Sequence, residues 1–382
     1  MSKRLLFITR SRLSENNGGA NATKGFIRCF ASLFEDCSII YPGTDDDGDA
    51  IPQNVKRFPY RDDRSKVRKG IDVYRGIICA NNPVVRKHLK AHGYDIIVID
   101  NSFSGSSLTS EIKATGAKVI TIHHNVERDY QHDNRKEYSI SFRLPYLHYA
   151  IKSEREWLLN SDVNITLTPK DAATFQSWHK DKDLHLHTWG VCEYRPIADK
   201  TFEPKGDNLT FAITGSLCFM QSLHPIMEFV SRYWPLLKSL YPAARLIIAG
   251  RNPADILLGE CSRQQDISVI PNPDDIGAVI RSANYYICPI NAGSGLKLRL
   301  LDGFKQGLPV LCHEVSAAGY ERMTESGCLF VYHDEQTFSA ALQRMVNAQN
   351  AAADIYQLFR QQFSTENATN RLQTILKEEH LL

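Results

Sequence analysis

The chain has 382 residues, too many for one ordinary hydrophobic core, and this length suggests two domains. A hydrophobic content of 43% and a charged content of 23% are those of a soluble globular protein, and a net charge of +2 argues against a dedicated nucleic-acid binder. The nine cysteines are scattered, among them Cys29, Cys79, Cys192, Cys288 and Cys328, with no C-x-x-C pair, so reduced core thiols are expected, not a disulfide frame or zinc site.

The chain opens with a four-residue apolar run before Arg10, too short for a signal-peptide core, so a first strand over Leu5 to Thr9 is expected. No stretch approaches the roughly 20 apolar residues of a membrane span. The expected location is cytoplasmic, with peripheral contact at a membrane surface left open. The turn Ser14-Glu15-Asn16-Asn17-Gly18-Gly19 follows, then a helix from about Asn21 to Phe34 with Phe26, Ile27, Phe30 and Leu33 on one face. Ser38 to Tyr41 reads as the next strand.

Residues 44 to 75 change character. Asp45-Asp46-Asp47-Gly48-Asp49 reads as a surface loop. Between Lys56 and Arg75 lie Arg57, Arg61, Arg64, Lys66, Arg68 and Lys69, interleaved with Phe58, Tyr60 and Tyr74, against few acids besides Asp62 and Asp63. A solvated, mobile face is the plain reading; a patch for anionic lipid headgroups or a lipid-diphosphate acceptor is the sharper one.

Asp95 to Ile99 is a predicted strand with Asp100-Asn101-Ser102 at its end. Lys118 to Ile122 is another, ending at His123-His124-Asn125-Val126-Glu127. Ligands of parallel α/β sheets sit at the carboxyl ends of strands, so this polar run is placed where chemistry happens. A lone histidine there is more often structural; two followed by N-V-E are less easily dismissed. Tyr138 to Trp157 reads, after Pro145, as a packed helix with Leu147, Ile151 and Leu158 on one face. Val163 to Leu167 is a strand, and Thr168-Pro169 supplies an N-cap and first helical position. Leu184 to Val191 leads to Tyr194-Arg195-Pro196.

Beyond a charged loop at 198–208, Leu209 to Thr214 is a strand tipped by Gly215-Ser216. A helix is expected from about His224 to Leu240, with Ile226, Phe229, Val230, Tyr233, Trp234, Leu237 and Leu240 in one stripe. Arg245 to Ala249 is a strand capped by Gly250-Arg251-Asn252-Pro253, and Ile267 to Ile270 another. From Asn284 to Tyr320 come a strand (Tyr285 to Pro289), the turn Asn291-Ala292-Gly293-Ser294-Gly295, a helical segment Leu296 to Gln306 and a strand Pro309 to Cys312. A strand, a glycine turn and a helix make a phosphate cradle, with Lys297 and Arg299 in the helix's first turn. An ordinary strand-loop-helix unit with a solvated charged face remains the alternative. Cys328 to Tyr332 is the last strand, and residues 335 to 378 read as helices parted near Ser364-Thr365-Glu366.

The residues Gly293, Ser294, Gly295, Lys297, Arg299, Leu301, Asp302, Gly307, Pro309, Val310 and Gly319 resemble the donor-nucleotide loop of retaining GT-B glycosyltransferases, family 4 above all. His123-His124-Asn125-Val126-Glu127 resembles the family's H-N-x-E run, and Thr188-Trp189-Gly190-Val191 its hinge segment. The resemblance implies an α/β, GT-B fold of two Rossmann-like domains facing a central cleft. Its domains would be 1–194, with 367–382 returning to it, and 195–366. It implies that the Gly293–Gly295 amides, Lys297 and Arg299 hold a diphosphate, that Asp302 replaces a glutamate at the ribose, and that Gly215, Ser216, Arg251, Asn291 and Leu296 complete the donor site. Catalytic roles fall to His124, Lys297 and Arg299. Gly18, Gly19, His123, Asn125 and Glu127 would line the donor and acceptor side, His123 being the alternate to His124. Departures stand at Ser294, where the family commonly has another Glu, and at Leu217, Cys218 and Phe219, which replace a basic pair.

The implied activity is transfer of a sugar from a nucleotide diphosphate to an acceptor hydroxyl of a glycan, polysaccharide or lipid-linked saccharide, retaining and without metal or other cofactor. A nucleotide-sugar epimerase of the same shape, or a non-catalytic nucleotide-sugar or partner-binding subunit, are the alternatives. The turn E-N-N-G-G-A-N-A fails the dinucleotide pattern G-x-G-x-x-G, and no Walker A, G-x-S-x-G or metal-ligand spacing occurs.

Overall fold

A computed structural model describes residues 3–15, 17–44, 51–74, 82–103, 106–133, 140–203, 209–293, 295–348 and 350–382. Two compact units emerge. The first comprises Met1–Ile197, Ser294–Leu296 and Gln362–Leu382; the second comprises Ala198–Gly293 and Lys297–Gln361.

In the first unit, strands β1 (Arg4–Thr9), β2 (Asp36–Pro42), β3 (Val55–Tyr60), β4 (Ile96–Asp100), β5 (Lys118–His123), β6 (Val163–Thr166) and β7 (Leu186–Thr188) alternate with helices. These are α1 (Gly18–Leu33), α2 (Lys66–Tyr74), α3 (Asn82–Ala91), α4 (Thr109–Ala114), α5 (Glu127–Asp133), α6 (Ile140–Asn160) and α7 (Pro169–Trp178). The strands form one parallel sheet in the order β3-β2-β1-β4-β5-β6-β7. Leu5, Leu6, Phe7 and Ile8 are all 0% exposed, because helices cover both faces of the sheet and a parallel strand then needs no polar side. In α6, Leu158 of the predicted face is buried but Leu147 and Ile151 are only half-buried; Ala150, Ser153, Glu154 and Trp157 take the other buried positions. Thr168 caps α7 by accepting from Asp171 N at 3.1 Å, with Pro169 at its start.

The second unit repeats the plan with β8 (Thr210–Ser216), β9 (Arg245–Arg251), β10 (Ile267–Pro271), β11 (Tyr285–Cys288), β12 (Val310–His313) and β13 (Leu329–Tyr332), ordered β10-β9-β8-β11-β12-β13 and parallel. Its helices are α8 (Met220–Glu228), α9 (Trp234–Leu240), α10 (Asp255–Cys261), α11 (Ile276–Arg281), α12 (Leu300–Phe304), α13 (Glu314–Ala317), α14 (Glu321–Glu325), α15 (Glu335–Asn347) and α16 (Ala352–Phe363). The last helix, α17 (Thr365–Glu378), belongs to the first unit, where Trp189 Nε1 donates to Ala368 O at 2.8 Å and Thr365 Oγ1 to Glu193 O at 2.8 Å.

Several expectations are corrected. Between 51 and 74 the cation-rich stretch carries regular structure where no element was predicted: β3 pairs with β2 along its whole length, and α2 follows, with Asp36, Asp62 and Asp72 paired to Lys56, Arg64, Arg68 and Lys69. Gly18 and Gly19 are not a turn but the first residues of α1, whose N-cap Asn17 accepts from Ala20 N at 2.9 Å. The single helix expected to Leu240 starts at Met220 and is interrupted by a π-turn over Phe229–Tyr233, just before Pro235, which has no N–H to continue the α ladder. Asp45–Asp49, Arg75 and Cys79 lie outside the described residues. No helix among the described residues is long and apolar enough to cross a membrane.

Candidate active site

In each sheet the chain winds outward from the first strand in one direction, then returns to add the fourth strand on its other side. The crevice at that reversal, beyond the carboxyl ends of the two strands, is where such sheets bind ligands. It falls between β1 and β4 in the first unit, and between β8 and β11 in the second.

At the first of these, Thr9 ends β1 and Asp100 ends β4, side by side in the register. Thr9 Oγ1 donates to Asp100 Oδ2 at 2.6 Å, and Thr23 Oγ1, from α1, donates to the same oxygen at 2.8 Å. The other oxygen, Oδ1, meets His124 Nε2 at 2.6 Å. Asp100 is fully buried and His124 is 8% exposed. Burial pushes the His124 imidazole down, but the charge and hydrogen bond of Asp100, with Glu127 behind them, raise it above its ordinary value overall. Phe26 sets its ring edge-on to His124 at 5.6 Å. Gly18 and Gly19 lie in the turn of α1 before Thr23.

His123, on the opposite face of the strand, is wholly buried. Its Nε2 meets Asn164 Oδ1 at 2.9 Å and its ring packs on Phe175; burial pulls its pKa down to about 4. Of the doubled histidines, therefore, only His124 stands at the switch point. Glu127 opens α5 and is buried, with Gln131 Nε2 donating to it at 3.2 Å; burial raises its pKa, and hydrogen bonds from Gln131 and Asn125 oppose the rise. Glu154 of α6 accepts from Glu127 N at 2.5 Å and from Arg128 N at 3.4 Å, so this carboxyl takes the first two amides of α5. Burial pushes Glu154 up to about 8.

At the second switch point, Gly215 and Ser216 end β8 opposite Gly250 and Arg251 of β9. The guanidinium of Arg299 lies on Gly215: a Cβ there would sit 2.4 Å from Arg299 Cζ. Gly250 is equally constrained, since its Cβ would fall 1.8 Å from Gly215 O. Arg299 Nη2 donates to Ser222 Oγ of α8 at 3.0 Å, while Nη1 is buried without a partner among the described residues. Lys297 Nζ donates to Gly293 O at 2.9 Å across the turn that φ +86° at Gly293 creates, and Tyr320 OH donates to Lys297 O at 3.0 Å. Asn291 Nδ2 donates to Glu228 Oε2 at 2.7 Å. Arg251 is exposed at the tip of β9. Asp302 is in the first turn of α12, its carboxylate 3.9 Å from Lys305 Nζ; burial pulls Lys305 down to about 8. Gly295 and Leu296 count with the first unit; Ser294 lies outside the described residues.

One expectation changes the argument. The helical segment predicted over Leu296 to Gln306 is only Leu300–Phe304, so Lys297 and Arg299 precede the helix and are not in its first turn. The amides of Leu300, Leu301 and Asp302 are spent on the carbonyls of Lys297, Leu298 and Arg299, at 3.2, 3.0 and 3.1 Å. An anion here would be met by side-chain cations and the glycine turn, not by a helix dipole.

Sequence reasoning did not single out Thr9, Thr23, Asp100, Ser222, Glu228, Tyr320 or Gly250 as site residues. Thr9 and Asp100 carry the one usable signal, a polar residue closing an apolar strand run. Which strand ends are neighbours requires the sheet order. No group of three or more potential metal-ligating residues occurs among the described residues.

Residues 214–348 match the family model described as glycosyl transferases group 1. A search of curated protein sequences finds no match. Among solved structures, HepE of Anabaena in complex with UDP superposes with a TM-score of 0.65 at 10% identity, covering 98% of this chain and 100% of that one. A TarM variant of S. aureus, in complex with Fondaparinux, alpha-GlcNAc-glycerol and UDP, gives 0.65 at 9% identity over 98% and 99%. WaaG, a glycosyltransferase involved in lipopolysaccharide biosynthesis, gives 0.60 at 15% identity over 99% of both chains. The fold is that of the GT-B glycosyltransferases, with the family match falling on the second unit.

Proposed function

We propose that this GT-B chain, whose residues 214–348 match glycosyl transferases group 1, moves a sugar from a nucleotide-diphosphate sugar to a hydroxyl of a saccharide or lipid-linked saccharide. The observation that carries the reading is the Arg299 guanidinium seated on Gly215 at the β8/β11 switch point, its Nη1 buried and unpartnered, on the same short loop as Lys297. A buried cationic donor without an acceptor costs free energy that a bound anion would return.

In the proposed step the bond from the anomeric carbon to the diphosphate oxygen breaks, and a bond from that carbon to the acceptor oxygen forms. The acceptor's proton is released to water, and negative charge collects on the departing diphosphate. Arg299 and Lys297 would stabilise that charge electrostatically, with no metal. Asp302, 40% exposed, would take a ribose hydroxyl. In the first unit His124, with Nε2 held by Asp100, would offer its other ring nitrogen to a sugar hydroxyl. Retention at the anomeric carbon is what the family resemblance implies. HepE and TarM were each found with UDP, which makes UDP-sugars the first donors to try.

The test is release of nucleotide diphosphate from UDP-, GDP- and dTDP-sugars, with and without a saccharide acceptor. Acceptor-dependent release supports transfer; release of an altered free sugar without acceptor points to an epimerase, and no turnover with tight binding points to a non-catalytic subunit. Lys297→Ala should lower turnover by about 100-fold or more. Wild-type turnover in that variant would remove Lys297 from the site.

A further inference from the structure

Between β11 and α12 the chain carries Lys297 and Arg299, and its described residues there lie in no helix or strand of their own. Two buried hydroxyls fix it from behind, both from the segment that follows β12. Ser316 of α13, 0% exposed, donates its Oγ–H to Ile290 O at 2.7 Å. Tyr320, 1% exposed, donates its OH to Lys297 O at 3.0 Å. One hydroxyl thus grips the chain before the glycine turn, the other after it. Between them Lys297 Nζ donates to Gly293 O at 2.9 Å.

A buried hydroxyl without a partner costs free energy, and Tyr320 meets that demand with an acceptor 23 positions back, in another element. Burial pushes its phenol well above the ordinary value, so it keeps the proton it donates. Its ring packs on Phe304 of α12, centroids 6.3 Å apart, so one side chain touches both the loop and the helix after it. Ser316 Oγ in turn accepts from Cys288 Sγ, at the end of β11, at 3.7 Å. The electrostatic consequence is direct. A carbonyl oxygen facing an anion repels it, and here Ile290 O and Lys297 O are turned onto buried hydroxyls, with Gly293 O covered by an ammonium.

We propose that Tyr320 and Ser316 are positioning residues, which hold this loop through Lys297 O and Ile290 O so that the Lys297 ammonium meets the diphosphate of a bound nucleotide. An ammonium has three hydrogens, so Lys297 can keep Gly293 O and still donate to a phosphate oxygen. Arg299 depends less on the two hydroxyls, because its guanidinium is seated separately on Gly215 and Ser222. Loss of either hydroxyl should therefore act chiefly through Lys297. This deepens the sugar-transfer reading and rests on it.

The experiment is titration calorimetry of the full chain with UDP, GDP and dTDP, and with the nucleoside of whichever binds tightest. Tyr320→Phe, which keeps the ring, should weaken the diphosphate about tenfold and leave the nucleoside within about twofold, since only the phosphate contact depends on the loop. Ser316→Ala should act in the same direction and less, its carbonyl being farther from Lys297. In a Lys297→Ala background Tyr320→Phe should cost less than about twofold more, because the group it positions is gone. With a nucleotide-sugar donor, Tyr320→Phe should lower kcat more than it raises KM, as charge on the diphosphate peaks in the transition state. Equal losses for diphosphate and nucleoside, or a full tenfold loss in the Lys297→Ala background, would mean a merely structural role and overturn the proposal. Wild-type affinity in both Tyr320→Phe and Ser316→Ala, with Lys297→Ala weakened, overturns it too and leaves the sugar-transfer reading standing. If Lys297→Ala binds like the wild type, or no diphosphate binds at all, that reading has lost its site and the proposal falls with it.

Discussion

The two switch points are built on the same strand order and filled in opposite ways. Between β1 and β4 the chain places a buried carboxylate and satisfies it at once: Asp100 takes two threonine hydroxyls and the His124 imidazole. Between β8 and β11 it places cations. Arg299 has one nitrogen on Ser222 and another buried without a partner. The first arrangement is complete within its own unit and holds an imidazole in a fixed orientation. The second leaves a guanidinium nitrogen unpaired among the described residues, which is what the proposed diphosphate would satisfy. In the proposed reading one topology serves positioning in one half and binding in the other, and the side chains at the strand tips decide which.

The largest expected effect tests the self-contained half. Asp100→Asn removes the charge opposite His124 and should cost about 3 kcal/mol of stability, read by denaturant unfolding. His124 should also titrate lower by NMR, since the raised pKa comes from Asp100. The sign follows: with a folded pKa above the unfolded one, the His124–Asp100 contact contributes fully at low pH and is lost as pH rises through the folded value. A variant as stable as wild type would end the contrast drawn between the two halves.

Next comes the open half. Gly215→Val puts a side chain where the Arg299 guanidinium lies, and should weaken nucleotide-diphosphate binding about tenfold by calorimetry. Ser222→Ala, which only frees Nη2, should do less, and Ser222→Thr should restore the wild-type value. Equal affinity in Gly215→Val would mean that Arg299 does not meet the nucleotide.

The smallest effect is a slope. Glu154 is pushed up to about 8 by burial, so the folded state holds its proton more tightly than the unfolded one. For such an acid, stability falls as pH rises from the unfolded value toward about 8. Glu127, raised by burial too, acts in the same sense, whereas His123, pulled down to about 4, opposes it only below its ordinary value near 6.5. Between about pH 6.5 and 8, therefore, Tm should decline, and Glu154→Gln should flatten that decline. A flat wild-type profile would mean that Glu154 is ionised within the fold.

Much of the candidate site could be read along the chain, because its parts are local. The H-H-N-V-E run, the glycine turn before Lys297 and the tip at Gly215-Ser216 each occupy a few consecutive residues. Thr168 and Pro169 could likewise be read as a helix start, since a cap is a contact between neighbours. What failed depended on distant partners. The cations of residues 56 to 69 suggested a charged face with no regular element, but β3 is fixed there by pairing with β2, and Lys56 meets Asp36 from 20 positions away, which nothing in the local pattern announces. The helix expected from Leu296 shrank to five residues because Leu298 and Arg299 are in turns, and periodicity cannot tell a short helix from a helical turn.

The sequence by itself determined that this is an α/β chain with two families of parallel strands, because strand burial and turn chemistry are written in neighbouring residues; His124, Lys297 and Arg299 were singled out by its resemblance to a family. Only the tertiary structure decided which strand tips are adjacent. It thereby joined Thr9 and Thr23 to Asp100, separated His123 in the core from His124 at the switch point, and laid Arg299 on Gly215. The reason is that a sheet orders its strands by long-range pairing, so contacts between residues some 77 to 91 positions apart leave no trace in local pattern.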